Sequence, residues 1–333
     1  MAQSVENAFE EFRKNYVDLD KNIVKAARDS RDNLLYNIKE FDNKDNFFDL
    51  CQDFDLHFGS FSRKTKCREL DDIDLMIGIA ASNATYNNYD SWENVRITSG
   101  KVNQAQIECT NPDGTLNSKL VLNRFKKELE KLREYSRSEI KRDHEAINLN
   151  LISKDWAFDI VPCFHTVAEH DGRSYYLIPN GRGNWKKTDP TIEQGRVNAL
   201  TKKHSGKVRE TIRLIKYWNK YGQMPTMTSY LLETLILDYF DKNNDASDWI
   251  DVRFKDVLYY ISQNIWSSVS DSKKIEGNIN NLSWEDKNKL QTRANNDFTK
   301  ACRAINAEVN EKDIRKSINL WRDIFGDEFP RYE

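Results

Sequence analysis

Two aspartates, one residue apart in an apolar run, are the first feature of this sequence with the chemistry of a catalytic site. Successive side chains of a strand point to opposite faces, so Asp72 and Asp74 share one face of a strand predicted over Asp72–Ile79, whereas Asp71 points away. Two carboxylates on one face can share a divalent cation, and their hard oxygen atoms suit Mg²⁺. The pair is equally compatible with the solvated face of a half-buried strand.

A third carboxylate, Asp159, stands in a second apolar run, Trp156–Val161. A buried strand does not tolerate a lone carboxylate without a partner. We therefore predict Asp159 as a third ligand, on a strand adjacent to that of Asp72 and Asp74. Three such carboxylates suit two-metal phosphoryl or nucleotidyl transfer, in which the ions assist the attacking hydroxyl and the leaving pyrophosphate.

A Gly-Ser pair, Gly59 and Ser60, ends an apolar segment a short interval before the acidic run. Glycine lets the backbone approach a phosphate, and serine adds a hydroxyl donor. Alone, such a pair is typical of an ordinary turn. Arg63 and Thr65 follow closely enough to help position phosphates, with a solvated loop as the equal alternative. Gly-Ser, Asp-x-Asp and the later strand with Asp159 form a far more specific pattern together.

These motifs resemble the signature of the polymerase-β-type nucleotidyltransferases. The segments are Phe58-Gly59-Ser60, Asp72–Met76 and Phe158–Pro162, and the Asp-Ile-Val-Pro ending is similar to that of the bacterial CD-NTases, relatives of animal cyclic GMP-AMP synthase and oligoadenylate synthetase. The resemblance implies an α+β, bilobal, polymerase-β-like core with a mixed β-sheet, a long N-terminal helix and an all-helical C-terminal lobe. We place the core with its N-terminal brace helix at 1–195 and the lobe that completes the donor nucleotide pocket at 196–333.

The resemblance also implies roles for individual residues. Asp72, Asp74 and Asp159 would be catalytic and would hold two Mg²⁺ ions, with Mn²⁺ as a substitute, while Gly59 and Ser60 would cradle the β- and γ-phosphates.

The donor pocket would use residues of the second lobe. Lys216 and Ser229 would contact phosphates, and Tyr230 would stack on the base. The residue types agree, since an ammonium neutralises polyphosphate and a phenol ring offers a flat face to a base. An ordinary core aromatic is the alternative for Tyr230.

The implied reaction joins nucleoside triphosphates (ATP, GTP, CTP or UTP) into a cyclic di- or oligonucleotide, releasing pyrophosphate. The family further implies signalling in bacterial anti-phage defence, with a nucleotide-activated effector protein as partner. One alternative is a nucleotidyltransferase that acts on RNA, a protein or a small molecule. Another, of a different class, is an inactive nucleotide sensor or scaffold.

The basic residues of the second lobe are predicted to line one helix over residues 202–220. Five cations fall within one narrow sector between apolar surfaces, so we expect the stripe to open on a cleft, with a solvated charged edge as the alternative: Lys202, Arg209, Arg213, Lys216 and Lys220.

The elements that position these residues follow from hydrophobic spacing. Helical period from Val5 to about Ile38 predicts one or two long amphipathic helices, and dense charge pairs predict a solvated helix over Leu120–His144. A strand pair is expected within Ala146–Phe164, and the glycine-containing segment Asn180–Pro190 is expected to be a turn between lobes. Beyond Glu193 the sequence is helical, with breaks expected near Gly222–Thr226, Asn243–Asp248 and Glu276–Asn281.

Composition limits the partners and the compartment. The 333 residues carry 51 Lys+Arg and 53 Asp+Glu, a net charge of −2 that disfavours a long nucleic-acid ligand. The five cysteines form no C-x-x-C pair and the histidines show no metal-ligand spacing, so we expect a reducing compartment and no zinc. No apolar run approaches the length of a membrane span, which predicts a cytoplasmic protein without a membrane partner.

Overall fold

The chain folds into two compact units whose sequences interleave. The computed structural model describes residues 2–44, 46–221, 225 and 227–333. A helical unit comprises Met1–Asp20, Arg63–Glu69 and Ile192–Glu333, and a sheet unit comprises Lys21–Ser62 and Leu70–Thr191. The helical unit thus takes residues from both ends of the chain, and the division between residues 195 and 196 stays a prediction.

The sheet unit contains a seven-stranded mixed sheet and a two-stranded ribbon. The ribbon pairs β3 (Thr85–Tyr86) with β4 (Ile97–Thr98). In the larger sheet the order is β1-β2-β7-β6-β5, with β8 paired to β7 and β9 paired to β8. Only β2 and β7 run parallel among these pairs, and the described strands are β1 (Leu56–His57), β2 (Asp72–Gly78), β5 (Glu139–Asp143), β6 (Ala146–Asn150), β7 (Ala157–His165), β8 (Tyr176–Pro179) and β9 (Trp185–Thr188).

One face of this sheet is buried and the opposite face carries polar groups. Ile73 and Leu75 of β2 are buried, whereas Asp72 and Asp74 are partly exposed. This alternation is the strand period that the sequence predicts. The helices of the unit are α2 (Lys21–Lys39), the short α3 (Gly59–Arg63) that leads out of it, α4 (Gln104–Glu108) and α5 (Ser118–Glu130), of which α5 packs on β5 and β6.

The prediction of a helix over Leu120–His144 is wrong beyond Glu130, where α5 ends. The ion pair from Lys126 to Glu130, at 2.6 Å, lies one helical turn apart as the charge pattern predicts. Residues 139–143 instead form β5, the edge strand of the sheet, where only Ile140 is buried. A charged edge strand deters pairing with other chains, and its charge density resembles that of a solvated helix.

The predicted turn between lobes is a hairpin turn within the sheet unit. Residues 180–184 connect β8 to β9, and the backbone N–H of Asn180 donates to the carbonyl of Asn184 at 3.0 Å. Gly181 and Gly183 both have positive φ, at 74° and 115°, a conformation that glycine adopts without steric cost.

The helical unit has one large aromatic core. Phe9 and Phe12 of its first helix pack on Phe325 and Phe329 near the C-terminus, with ring centroids 5.0–5.8 Å apart. The described helices are α1 (Val5–Phe12), a π-helical turn (Arg13–Val17), α6 (Pro190–Lys203), α7 (Lys207–Lys220), α8 (Ser229–Lys242), α9 (Ile250–Asn264), α10 (Trp284–Val309) and α11 (Ile314–Phe325). The predicted N-terminal helical region is therefore two helices, because Asp18 is extended between the π-helical turn and α2.

The prediction of a single helix over residues 202–220 is wrong, because the structure has two helices there, α6 and α7. Ser205 and Gly206 adopt positive φ, at 52° and 91°, and separate α6 from α7. Lys202 therefore lies on α6, apart from the other four cations of the stripe. Of the predicted break at 222–226, only Pro225 is among the described residues. Across the part of the chain that the structure describes, every helix is too short or too polar to span a bilayer.

Candidate active site

The candidate active site is built on two neighbouring parallel strands, β2 and β7. Asp74 lies directly opposite Asp159, and Asp72 lies directly opposite Ala157. Residues opposite one another on paired strands point to the same face of the sheet. The three predicted carboxylates therefore share the polar face described above, which we call the carboxylate face: Asp72, Asp74 and Asp159.

The carboxylate face has a geometry that fits metal binding. One oxygen atom from each of its three carboxylates lies within 4.8 Å of the other two, and each residue is partly buried. Hard cations such as Mg²⁺ bind carboxylate oxygens and keep several water ligands. Among the described residues, this is the one group of three or more His, Cys, Asp or Glu side chains with such a spacing.

The electrostatics of the carboxylate face also favour a cation. Burial raises the pKa of Asp159, and the negative charges of Asp72, Asp143 and Asp71 raise it further. A hydrogen bond from Asn148 lowers this pKa in part. Gathering like charges in a partly desolvated place is unfavourable, and a bound cation reverses that balance.

Gly59 lies against the carboxylate face rather than apart from it. Its φ is 70°, and a Cβ atom added there would lie 1.7 Å from Oδ2 of Asp74. The neighbouring Phe58 N–H donates to the carbonyl of Asp74 at 3.3 Å. The sequence predicts that glycine allows close approach to a phosphate; in the structure, its missing side chain makes room for a carboxylate. Ser60 follows on α3 and is partly exposed.

The three predicted donor-pocket residues all lie in the helical unit. Ser229 is the first residue of α8 and is exposed. The Tyr230 hydroxyl donates to the Asp271 carboxylate, and the Lys273 ammonium lies 4.5 Å from the centre of its ring. Tyr230 is therefore held by its hydroxyl and contacted on its ring, and its stacking on a base stays a prediction.

Lys216 is buried in a group of charges that we call the Glu233 cluster: Glu233, Arg63, Thr65 and Lys216. Its ammonium donates to Glu233 Oε1. Arg63 Nε and Nη2 lie 3.2 and 3.3 Å from the two Glu233 oxygens, and Thr65 Oγ1 donates at 3.1 Å. Arg63 and Thr65 are 7% and 0% exposed, so the alternative of a solvated loop is wrong for them.

Comparison with known proteins places the chain among bacterial nucleotide synthases. A Bacillus cereus protein named as a probable cyclic nucleotide synthase is 38% identical over 335 residues, which covers 100% of both chains. A cyclic AMP-AMP-AMP synthase of Acinetobacter is 24% identical over 213 residues, 60% of this chain and 58% of that relative. No protein-family model matches the sequence.

Solved structures share the fold. Escherichia coli CdnC, determined with ATP, superposes with a TM-score of 0.69 and 15% identity over 98% of both chains. The Vibrio cholerae cyclic AMP-GMP synthase DncV, described as a prokaryotic cGAS homologue, gives a TM-score of 0.57 and 11% identity over 83% of this chain and 70% of that chain. The chain belongs to the CD-NTase family. The predicted polymerase-β-like fold and the nucleotidyltransferase class are thereby confirmed.

Sequence patterns do not predict two polar residues at these sites of the CD-NTase, Asn148 and Glu233. Asn148 faces Asp159 from β6, and it can be found only once the register of β6 and β7 is known. Glu233 is 3% exposed and interrupts the apolar run Leu231–Leu235. A carboxylate in such a run needs a buried partner, by the same argument that identifies Asp159.

Proposed function

We propose that this CD-NTase joins nucleoside triphosphates into a cyclic di- or oligonucleotide at the carboxylate face, in a Mg²⁺-dependent reaction. The observation that carries the proposal is the placement of Asp72, Asp74 and Asp159 on adjacent parallel strands, with one oxygen of each within 4.8 Å of the others. The full-length relative from Bacillus cereus and the cyclic products in the names of two other relatives support a cyclic product.

The three carboxylates would hold two Mg²⁺ ions, for which Mn²⁺ can substitute. Bound there, the ions supply Lewis-acid stabilisation of the attacking and leaving oxygens of an in-line displacement. The acceptor ribose oxygen forms a bond to the donor α-phosphorus, and the bond from that phosphorus to the bridging oxygen breaks as pyrophosphate leaves. The proton of the acceptor hydroxyl passes to Asp159 or to water, and a second attack closes the ring.

The other predicted residues serve substrate binding in this proposal. Gly59 and Ser60 cradle the β- and γ-phosphates, and Gly59 also leaves space for the Asp74 carboxylate. Lys216 and Ser229 contact phosphates and Tyr230 stacks on the base, as the family resemblance implies. Lys216 also bonds Glu233, so its contribution to phosphate binding would add to a structural one.

The product assay tests the proposal directly. Purified protein is incubated with labelled ATP, GTP, CTP and UTP in Mg²⁺ without any polymer, and the products are treated with phosphatase and analysed by mass spectrometry. We expect a phosphatase-resistant cyclic nucleotide that is lost with EDTA and in Asp159→Asn. Label that appears only after addition of RNA, protein or another acceptor would contradict the proposal.

We further propose that the product activates an effector protein in anti-phage signalling. The solved complex of CdnC with a HORMA protein supports the idea that this CD-NTase also works with protein partners. Cells that carry the gene with its native neighbours should resist phage infection, and cells with Asp74→Asn should not. Equal resistance in both strains would contradict a signalling role for the product.

A further inference from the structure

Three side chains form one row across three strands of the sheet unit. Asn148 on β6 lies directly opposite Asp159 on β7, and Asp159 lies directly opposite Asp74 on β2. Directly opposite residues point to the same face, and in an antiparallel pair such as β6 and β7 their Cβ atoms lie about 4.5–5.5 Å apart. An amide is therefore placed beside the two carboxylates, on the face where a metal would bind.

The amide makes a specific contact within this row. Asn148 Nδ2 lies 3.0 Å from Asp159 Oδ1, between partly buried groups. An ionised carboxylate can only accept hydrogen bonds, so the amide N–H₂ is the donor. The bond occupies one oxygen of Asp159 and restricts rotation of the carboxylate, which leaves the second oxygen directed away from Asn148.

Asn148 is neutral, whereas the next residue in the row is a cation. Lys141 on β5 lies directly opposite Asn148, is exposed, and pairs with Glu139 at 2.5 Å. A lysine or arginine at position 148 would neutralise Asp159 and compete with a metal ion. An amide supplies a hydrogen-bond donor without adding positive charge.

We propose that Asn148 is a positioning residue, which holds the Asp159 carboxylate so that its second oxygen is presented to the catalytic metal. The inference rests on the proposed function of the carboxylate face. Hydrogen-bond partners of metal ligands typically contribute about 10- to 100-fold to metal affinity or activity. Asn148 is the described side chain with a hydrogen bond of this kind to Asp159.

The test compares Asn148→Leu, which keeps the side-chain size and removes the donor, with Asn150→Leu. Asn150 is the matched control because it lies on the same strand and the same face, but opposite Ala157 rather than Asp159. Mn²⁺ binding to the full chain is measured by electron paramagnetic resonance with a non-hydrolysable ATP analogue. Product formation is measured over a range of Mg²⁺ and ATP concentrations.

For Asn148→Leu we expect the Kd for Mn²⁺ to rise about tenfold and kcat to fall about tenfold. The KM for ATP at saturating metal should change less than about twofold, and the melting temperature in EDTA should stay close to that of the wild type. Asn150→Leu should match the wild type. Asn148→Gln, which retains an amide donor, should recover most of the metal affinity.

Each remaining outcome overturns the inference. If Asn148→Leu and Asn150→Leu bind Mn²⁺ equally well, Asn148 does not position Asp159. If the metal affinity falls only together with the melting temperature in EDTA, and Asn148→Gln fails as badly as Asn148→Leu, the residue is structural. Failure of the proposed function gives a different result, because the wild type itself would then bind no Mn²⁺ and form no product. That result would overturn both the proposed function and the inference about Asn148.

Discussion

The two charged groups of this CD-NTase, the carboxylate face and the Glu233 cluster, differ in how their charges are balanced. The carboxylate face gathers three like charges, and its Asp159 accepts a hydrogen bond from a neutral amide. The Glu233 cluster surrounds one carboxylate with a guanidinium, an ammonium and a hydroxyl. The carboxylate face requires an added cation to balance its charge, whereas the Glu233 cluster already contains the cationic side chains that balance its carboxylate.

The shifts in pKa follow this difference. Burial and neighbouring aspartates hold the pKa of Asp159 above its usual value. Burial alone would raise the pKa of Glu233 too, but Arg63 and Lys216 outweigh it and hold that pKa below its usual value. We therefore expect the Glu233 cluster to stabilise the fold and the carboxylate face to bind a ligand.

The largest expected effect is the loss of activity when the carboxylate face loses one charge. Asp74→Asn should lower product formation about 1000-fold, because metal stabilisation of the transition state supplies several kcal/mol. The free energy of unfolding of this variant should not fall, because the change removes repulsion between carboxylates. Rates are measured by product assay and stability by urea unfolding in EDTA.

Asp71→Asn is the matched control for Asp74→Asn. Asp71 is the exposed aspartate immediately before β2 and lies outside the group of three carboxylates. Its activity should stay within about threefold of the wild type. Equal losses in both variants would mean that net charge, rather than a metal site, determines the rate.

The Glu233 cluster should show the opposite response, a loss of stability. Glu233→Gln leaves Lys216 buried without its counter-charge and leaves Arg63 with Glu193, at 3.1 Å, as its remaining carboxylate partner. Breaking a buried pair in this way typically costs about 3–5 kcal/mol. We expect the free energy of unfolding to fall by about 3 kcal/mol in urea titrations. Glu285→Gln, which removes an exposed partner of Lys289, should change it by less than about 0.5 kcal/mol. Similar values for the two variants would show that the cluster is not structural.

A smaller effect on activity is expected where glycine adjoins the carboxylate face. In Gly59→Ala the new methyl would overlap Asp74 Oδ2, and a displacement of about 1 Å can cost up to about 100-fold, so we expect a loss of about 30-fold. Gly114→Ala is the control, because Gly114 also has positive φ, at 86°, but has no atom within 4 Å of an added Cβ. It should cost only the strain of the left-handed conformation, about 1–2 kcal/mol of stability, without loss of rate.

Local sequence patterns predict the carboxylate face but not its neighbours. The period of a strand is local, so the sequence alone places Asp72 and Asp74 on one face. It does not place Asn148, because the position of that residue opposite Asp159 depends on the register of two strands. The edge strand β5 is predicted as helix for a related reason, since its charges resemble those of a solvated helix and its pairing with β6 is not a local property.

The helical unit shows a second limit of sequence reasoning. The family motif predicts Lys216 as a phosphate contact, and helical spacing correctly assigns it to a largely buried helix. Its bond to Glu233 pairs α7 with α8, and no periodicity within one helix can predict which helix is its neighbour. Arg63 and Thr65 reach the same carboxylate from a segment far away in sequence, which only the tertiary fold determines.

The smallest expected effect is the pH dependence of the Glu233 cluster. A carboxylate whose folded pKa lies below its unfolded value stabilises the protein above the unfolded pKa, about 4.3 for glutamate. That stabilisation is lost as the pH falls from the unfolded value through the folded one, because the unfolded chain takes up the proton first. The difference in unfolding free energy between wild type and Glu233→Gln should therefore be constant from about pH 7 to about pH 5.5 and narrow below about pH 5. Glu285→Gln, measured over the same range, gives the baseline. A difference that widens on acidification would mean that burial outweighs Arg63 and Lys216, and the contrast between the two charged groups would then be wrong.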